Sequence, residues 1–109
     1  MAQPHATPGH IVDLGPLGSQ LRGAKTSALV KEKHFEAIRL IVHAGDKIAP
    51  HAVPGNVMLH CLEGQVILEL SSGEIVLENG DWIYLSGGET HSLRGIVDSS
   101  LLLTILLTK

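Results

Sequence analysis

The stretch GDKIAPHAVPGNVMLHCLEG, residues 45–64, decides how the rest of the chain is read. A glycine stands at each end, and Pro54-Gly55 in the middle is a turn pair. After the turn comes a run, NVMLHCL, that is apolar in nearly every place. Side chains of a strand alternate between its two faces, so with Val57 pointing inward Leu59 and Cys61 point inward too, and Met58, His60 and Leu62 point outward. A one-sided core buries only the first set, and the second needs a cover of its own. Just before the turn stands a single histidine, His51.

Beyond this stretch the same β-type pattern recurs. From Ser27 onward there are eight short runs, SALVKEK, HFEAIRLIVH, NVMLHCL, QVILELS, EIVLE, DWIYL, THSLRGI and LLLTILL, and no segment with helical period. The breakers SSG, ENGD and SGGE lie between successive runs and predict hairpins. Short strands at this spacing imply an all-β sandwich or closed barrel. Residues 1–23 hold three of the five prolines and show no sustained period. They read as an N-terminal arm laid over a single barrel domain of residues 24–109. The run LLLTILL is apolar on both faces, like VMLHCL, which calls for a homodimer as its cover, with the arm alone as the alternative.

Composition narrows the function. Hydrophobic residues make up 44% of the chain but Phe, Trp and Tyr only 3%, so the interior must be built from Val, Ile and Leu. The formal charge is -3 with no basic run, which removes the electrostatic footprint of a nucleic-acid binder. The run LLLTILL is far shorter than the roughly 20 residues that cross a bilayer, and the N-terminus has no signal-peptide pattern, so a cytoplasmic protein without membrane contact is expected. The lone Cys61 forms no internal disulfide and reads as a small buried hydrophobe. Trp82 and Tyr84 share one face of their strand, as core or interface.

Spacing then carries a resemblance. Gly45, His51, Val53, Val57 and Gly64 stand at the intervals of the first cupin motif. Gly80, Ser86, Gly88, His91 and Gly95 stand at those of the second, with Ser86 where proline is usual and Gly95 where asparagine is usual. The chain resembles a small single-domain cupin of the conserved-barrel type with an HxxPG turn, which implies a cupin-type double-stranded β-helix, the jelly-roll barrel. In metal-binding cupins three His and one Glu hold the ion. Carried over by position, His51 and His91 keep two of those places, while Val53 and Val57 stand where the second histidine and the glutamate are usual.

The resemblance implies a small organic molecule bound in the barrel, with three chemistries open at the pair. Both rings hydrogen-bond a small carboxylate or carbonyl compound; or His51 and His91 hold a divalent metal (Fe, Ni, Zn or Mn) in an oxygenase or isomerase; or His91 is the general base of a metal-free enzyme. The bland reading is that His91 caps the SGGET turn and His51 packs at the rim. Other donors are weaker. His60 and Cys61 lie roughly 10 and 13 Å along the strand from position 57 at about 3.3 Å per residue, and His60 points inward only if a bulge near Asn56 reverses the parity. His43 reads as a hydrogen-bonded structural residue and His34 as solvated. His5 and His10 reach the pair only if the arm folds over the barrel mouth. Glu89 orients His91 or faces solvent, and Ser92 points to the opposite face.

Overall fold

The computed structural model describes residues 6–107. Alternation of side chains organises its nine strands: β1 (Ser27–Lys31), β2 (Phe35–Val42), β3 (Lys47–His51), β4 (Val57–Glu63), β5 (Gln65–Leu70), β6 (Gly73–Glu78), β7 (Trp82–Leu85), β8 (His91–Gly95) and β9 (Ser99–Leu106). They form two antiparallel sheets, one ordered β1-β2-β9-β4-β7 and the other β3-β8-β5-β6. The inner faces meet in a core of Val42, Leu59, Cys61, Leu85 and Leu101 from the first sheet and Val66, Leu68, Leu77 and Leu93 from the second. This core holds no aromatic ring. Each fully buried Leu or Val adds about 1.5–3 kcal/mol over its exposed state. The strands are its source of cohesion, since the one helical segment described is a 3-10 turn, Gly18–Gly23. Among the described residues no helix is long and apolar enough to cross a membrane.

Two sequence expectations need correction. The segment Lys47–His51 pairs as a strand, although Pro50 and the charge of Lys47 had masked it; it is an edge strand, the place where a proline's missing N–H is tolerated. Of the three predicted hairpins only SSG joins paired neighbours, β5 and β6. ENGD leads from β6 to β7 and SGGET from β7 to β8, and each of these turns crosses from one sheet to the other. Gly64 makes a similar crossing between β4 and β5. Its φ of +99° and the proximity of Ser99 leave no room for a Cβ.

The apolar strand β4 is buried on its inner side and half-buried on its outer one. Val57, Leu59 and Cys61 are buried in the core, and Met58 and His60 lie on the outer face. Register with β7 and β9 runs unbroken from Val57 to Cys61, so no bulge turns His60 inward. Part of the outer face is covered by the arm. The Glu63 carboxylate accepts the N–H groups of Leu17 (2.7 Å) and Gly18 (3.3 Å). Arg39 Nη2 donates to the Gly15 carbonyl at 2.8 Å, and the Leu21 carbonyl meets His43 Nε2 at 3.3 Å.

Replacing Glu63 with Ala leaves two arm amides without their acceptor. The expected cost is about 1–3 kcal/mol, together with faster proteolysis before Ser27 while the barrel stays intact; unchanged proteolysis would show the arm is held by other contacts. Burial, followed by the charge of Asp81, pushes the Cys61 thiol from 9.0 up to about 11. Its thiolate fraction at pH 8 is then about a hundredfold below that of an ordinary thiol. A disulfide reagent should therefore label Cys61 at least that much more slowly in the folded chain than in the unfolded one, and equal rates would contradict the burial.

Candidate functional site

The two motif histidines meet across one strand pair. β3 and β8 run antiparallel, with Lys47 opposite Arg94, Ile48 opposite Leu93 and His51 opposite His91. From Leu93 to His91 is two residues, but from Ile48 to His51 is three, so Ala49 and Pro50 form a bulge. An extra residue in a period-two strand turns the residues after it to the other face. Leu93 and His91 are buried, so their face is the inner one. The bulge brings His51 onto that same face, where regular pairing would have pointed it outward. The ring centroids lie 4.4 Å apart with planes inclined by 56°. His91 is 5% exposed, and His51 is exposed at the end of its strand.

Both rings are oriented in the same way. His51 Nδ1 lies 3.1 Å from the Ala49 carbonyl, and His91 Nδ1 lies 3.1 Å from the Glu89 carbonyl. A carbonyl only accepts, so each Nδ1 carries the proton, and in the neutral ring Nε2 keeps its lone pair. The main chain of Glu89 thus orients His91, while its carboxylate accepts from Ser71 Oγ at 2.9 Å. The second motif turn is fastened to the first: Gly88 N–H donates to the Val53 carbonyl (2.8 Å) and Gly87 N–H to Asn56 Oδ1 (2.9 Å). Gly87 lies so close to the Pro54 carbonyl that any side chain there would collide with it. Both loops therefore sit at the same end of the sandwich as the histidine pair.

The donor set does not fit the metal that the cupin resemblance implies. Val53 and Val57 offer no lone pair, and Val57 is buried at 3% exposure, facing the interior across from Leu85 and Ile105. Among the described residues no group of three or more His, Cys, Asp or Glu side chains is placed to hold an ion. Structural and catalytic zinc sites use three or four protein ligands and non-heme iron uses two histidines with a carboxylate. The remaining histidines stand elsewhere. His60 faces outward opposite Trp82, His43 is tied to Leu21, and His34 is exposed. His10 lines a depression with Val30 and Phe35 at the β1–β2 end of the other sheet. His5 lies outside the described residues. Ser92 faces outward opposite Glu69, as its position next to His91 requires.

A surface depression adjoins His91. It holds about 230 Å³ and is lined by Pro50, Glu69, Leu70, Ser71, Thr90, His91 and Ser92. It touches His91 but not His51, Val53 or Val57, and because Glu69 and Ser92 face outward it opens on the outer side of the β3-β8-β5-β6 sheet, with a carboxylate and hydroxyls among its walls. The sequence located the two imidazoles, but neither the bulge that aligns them nor the hydroxyl-lined depression could be read from spacing.

No family model matches the chain, and no curated protein matches it in sequence. Its likeness to solved structures is one of shape. A conserved protein of unknown function from Streptococcus pyogenes superposes with a TM-score of 0.77 at 16% identity, covering 100% of this chain and 96% of that one. A cupin superfamily protein from Desulfitobacterium hafniense does so at 0.74 and 16%, covering 76% of each chain. Salicylate 1,2-dioxygenase from Pseudoaminobacter salicylatoxidans, in complex with gentisate, matches at 0.68 and 16%, over 73% of this chain and 24% of that one. The chain has the cupin fold, a jelly-roll barrel of two antiparallel sheets.

The tautomers can be tested directly. In long-range nitrogen–proton NMR spectra at a pH where the rings are neutral, His51 and His91 should both carry the proton on Nδ1. His43, whose Nε2 faces the Leu21 carbonyl, should carry it on Nε2. A proton on Nε2 of either His51 or His91 would contradict the site as described.

Proposed function

We propose that this cupin-fold chain is a metal-independent binding module for a small hydroxylated organic molecule, received by the Nε2 atoms of His51 and His91. The observation that carries the reading is the pair itself, two rings 4.4 Å apart with each Nδ1 on a main-chain carbonyl. Two free lone pairs side by side favour a ligand that donates hydrogen bonds. This refines the carboxylate or carbonyl ligand expected from the sequence, since acceptor ligands need N–H groups that the neutral rings have already committed to Ala49 and Glu89. The depression beside His91, about 230 Å³, falls below the roughly 300–1,000 Å³ of drug-sized pockets, and its Ser71 and Thr90 offer hydroxyls to a polyol or sugar fragment.

The dioxygenase among the structural neighbours points to a different chemistry, but a resident metal here would need donors at positions 53 and 57 that valine does not provide. A second reading has an observation in its favour. His91 is 5% exposed and its free Nε2 is a base, so a bound hydroxyl or acidic C–H could lose its proton there. In that reading His91 is catalytic and His51 positions the ligand.

The test is a thermal-shift screen with glycerol, monosaccharides, 2-hydroxy acids and 2-oxo acids, beside elemental analysis of untagged protein. Saturation at 100 times Kd adds about 2.7 kcal/mol, about 10 °C or more for a domain of this size. Hydroxylated neutral compounds should stabilise the chain, and His91→Ala should weaken that effect at least tenfold, with metal well below one equivalent. Preference for 2-oxo acids would reject the ligand class. Near-stoichiometric Fe, Ni, Zn or Mn, lost in the His51→Ala, His91→Ala double variant, would reject metal independence.

A further inference from the structure

Among the described residues the two sheets end in four edge strands, β1 and β7 in one and β3 and β6 in the other. An edge presents main-chain groups without a partner, and chains blunt it with a bulge, a proline, a lysine, a short strand or a cover. Three of these edges carry such devices. β1 has a bulge between Ala28 and Val30, ends on Lys31, and its Leu29 carbonyl accepts the N–H of Ala6 in the arm (2.6 Å). β3 has Lys47, Pro50 and its bulge, and β7 is only four residues long. β6 has none of them: its six residues pair with β5 in unbroken register and include neither lysine nor proline.

The free side of β6 defines what can join it. Glu78 N–H donates to Asp81 Oδ2 and the Glu78 carbonyl accepts the Asp81 N–H, both at 2.9 Å, so Glu78 turns its main chain away from β5. Main-chain groups alternate sides along a strand, so Val76 and Glu74 also turn theirs outward, while Leu77 and Ile75 bond to β5. Side chains alternate as well. Leu77 is buried in the core, which puts Glu74, Val76 and Glu78 on the outer face, with Val76 48% exposed and both glutamates exposed. Glu69 lies opposite Glu74, and Arg94 reaches Glu69 at 3.5 Å but Glu74 only at 3.8 Å. Glu78 accepts the Gln65 amide at 2.8 Å, so three carboxylates share one guanidinium along this edge.

We infer that β6 receives an extended segment of another protein as an added strand, one with a lysine or arginine two places to either side of an apolar β-branched residue. Segment residues opposite Glu74 and Val76 exchange N–H and carbonyl bonds with them, and Asp81 closes the end at Glu78, which fixes the register. On the outer face the apolar residue then falls against Val76 and the basic ones beside Glu74 and Glu78. Opposite charges directly across a strand pair are favourable, and like charges are not. The same rule disfavours a second copy of this chain as the occupant. Antiparallel pairing of two β6 strands about Val76 would set Glu74 of each copy against Glu78 of the other. The net charge of -3 adds a longer-range attraction for a basic segment. The inference is independent of what His51 and His91 bind.

The probe is the synthetic peptide acetyl-Gly-Lys-Thr-Val-Thr-Lys-Gly-amide, titrated to millimolar concentration and followed by the amide signals of the full chain in nitrogen–proton NMR spectra. Its counterpart carries glutamate in both lysine places. At low salt the lysine peptide should bind at least tenfold more tightly than the counterpart, with the largest shifts at Glu74 and Val76. Val76→Pro removes an N–H that β5 does not use, so binding should weaken at least tenfold while the circular dichroism of the barrel is retained. Should that variant fail to fold, the Glu74→Lys, Glu78→Lys double variant decides, since it should prefer the glutamate peptide. The inference is overturned by no binding of the lysine peptide, by equal binding of the two peptides, or by shifts centred on another strand. Undiminished binding to a folded Val76→Pro chain, or an unchanged preference in the double variant, would overturn it as well.

Discussion

One surplus residue between Ile48 and His51 decides whether the two imidazoles meet at all. The inner faces of the two sheets impose strict alternation, and a strand that kept it would carry Ile48 inward and His51 out beside Ser92. The bulge at Ala49 and Pro50 breaks the alternation once, and the imidazole after it comes to lie against His91. Proline suits the place because it has no N–H to lose from the ladder and β3 is an edge strand. The Ala49 carbonyl within the same bulge then holds Nδ1 of His51. A single local irregularity thus aims the ring and fixes its tautomer.

The valines at positions 53 and 57 belong to the same logic. A carboxylate at 57 would lie on the buried face of β4, opposite Leu85 and Ile105, where an unpaired charge is costly without a cation to share the space. Valine needs no such partner and adds its methyl groups to the core. Buried Val57 and the rim histidines are therefore consistent with each other: the inward position packs, and the rim carries the polarity. Glu89 shows the same economy, since its main chain positions His91 while its carboxylate is engaged by Ser71.

Much of this was legible where side-chain parity alone decides. The inward set Val57, Leu59 and Cys61, the outward His60 and the averted Ser92 follow from period two, and the aliphatic core follows from the scarcity of aromatics. The features that escaped the sequence depend on partners distant along the chain. β3 was hidden because its strand character comes from β8 and not from its own residues. The turns ENGD and SGGET look like hairpin turns locally, yet which sheet the next strand joins is decided by the ladders with β4 and β5. Trp82 and Tyr84 were open between core and interface. Their exposure removes the core, because Ile83 and Leu85 take the inner face of β7.

The arm shows how weakly the outer face is closed compared with the core. Among its described residues only Leu21 is buried, so apolar burial contributes little, and polar contacts clustered at residues 15–18 hold it instead: Glu63 on the amides of Leu17 and Gly18, and Arg39 on the Gly15 carbonyl. The Arg39 contact is itself imperfect, since its buried Nε has no partner among the described residues, a deficit of about 1–3 kcal/mol. The arm is therefore the part of the structure that opens at the smallest cost, while the leucines beneath it open only with the whole barrel. That ordering keeps the motif end, fastened by Gly88 to Val53 and Gly87 to Asn56, rigid while the covered part of the opposite face is exchanged with solvent.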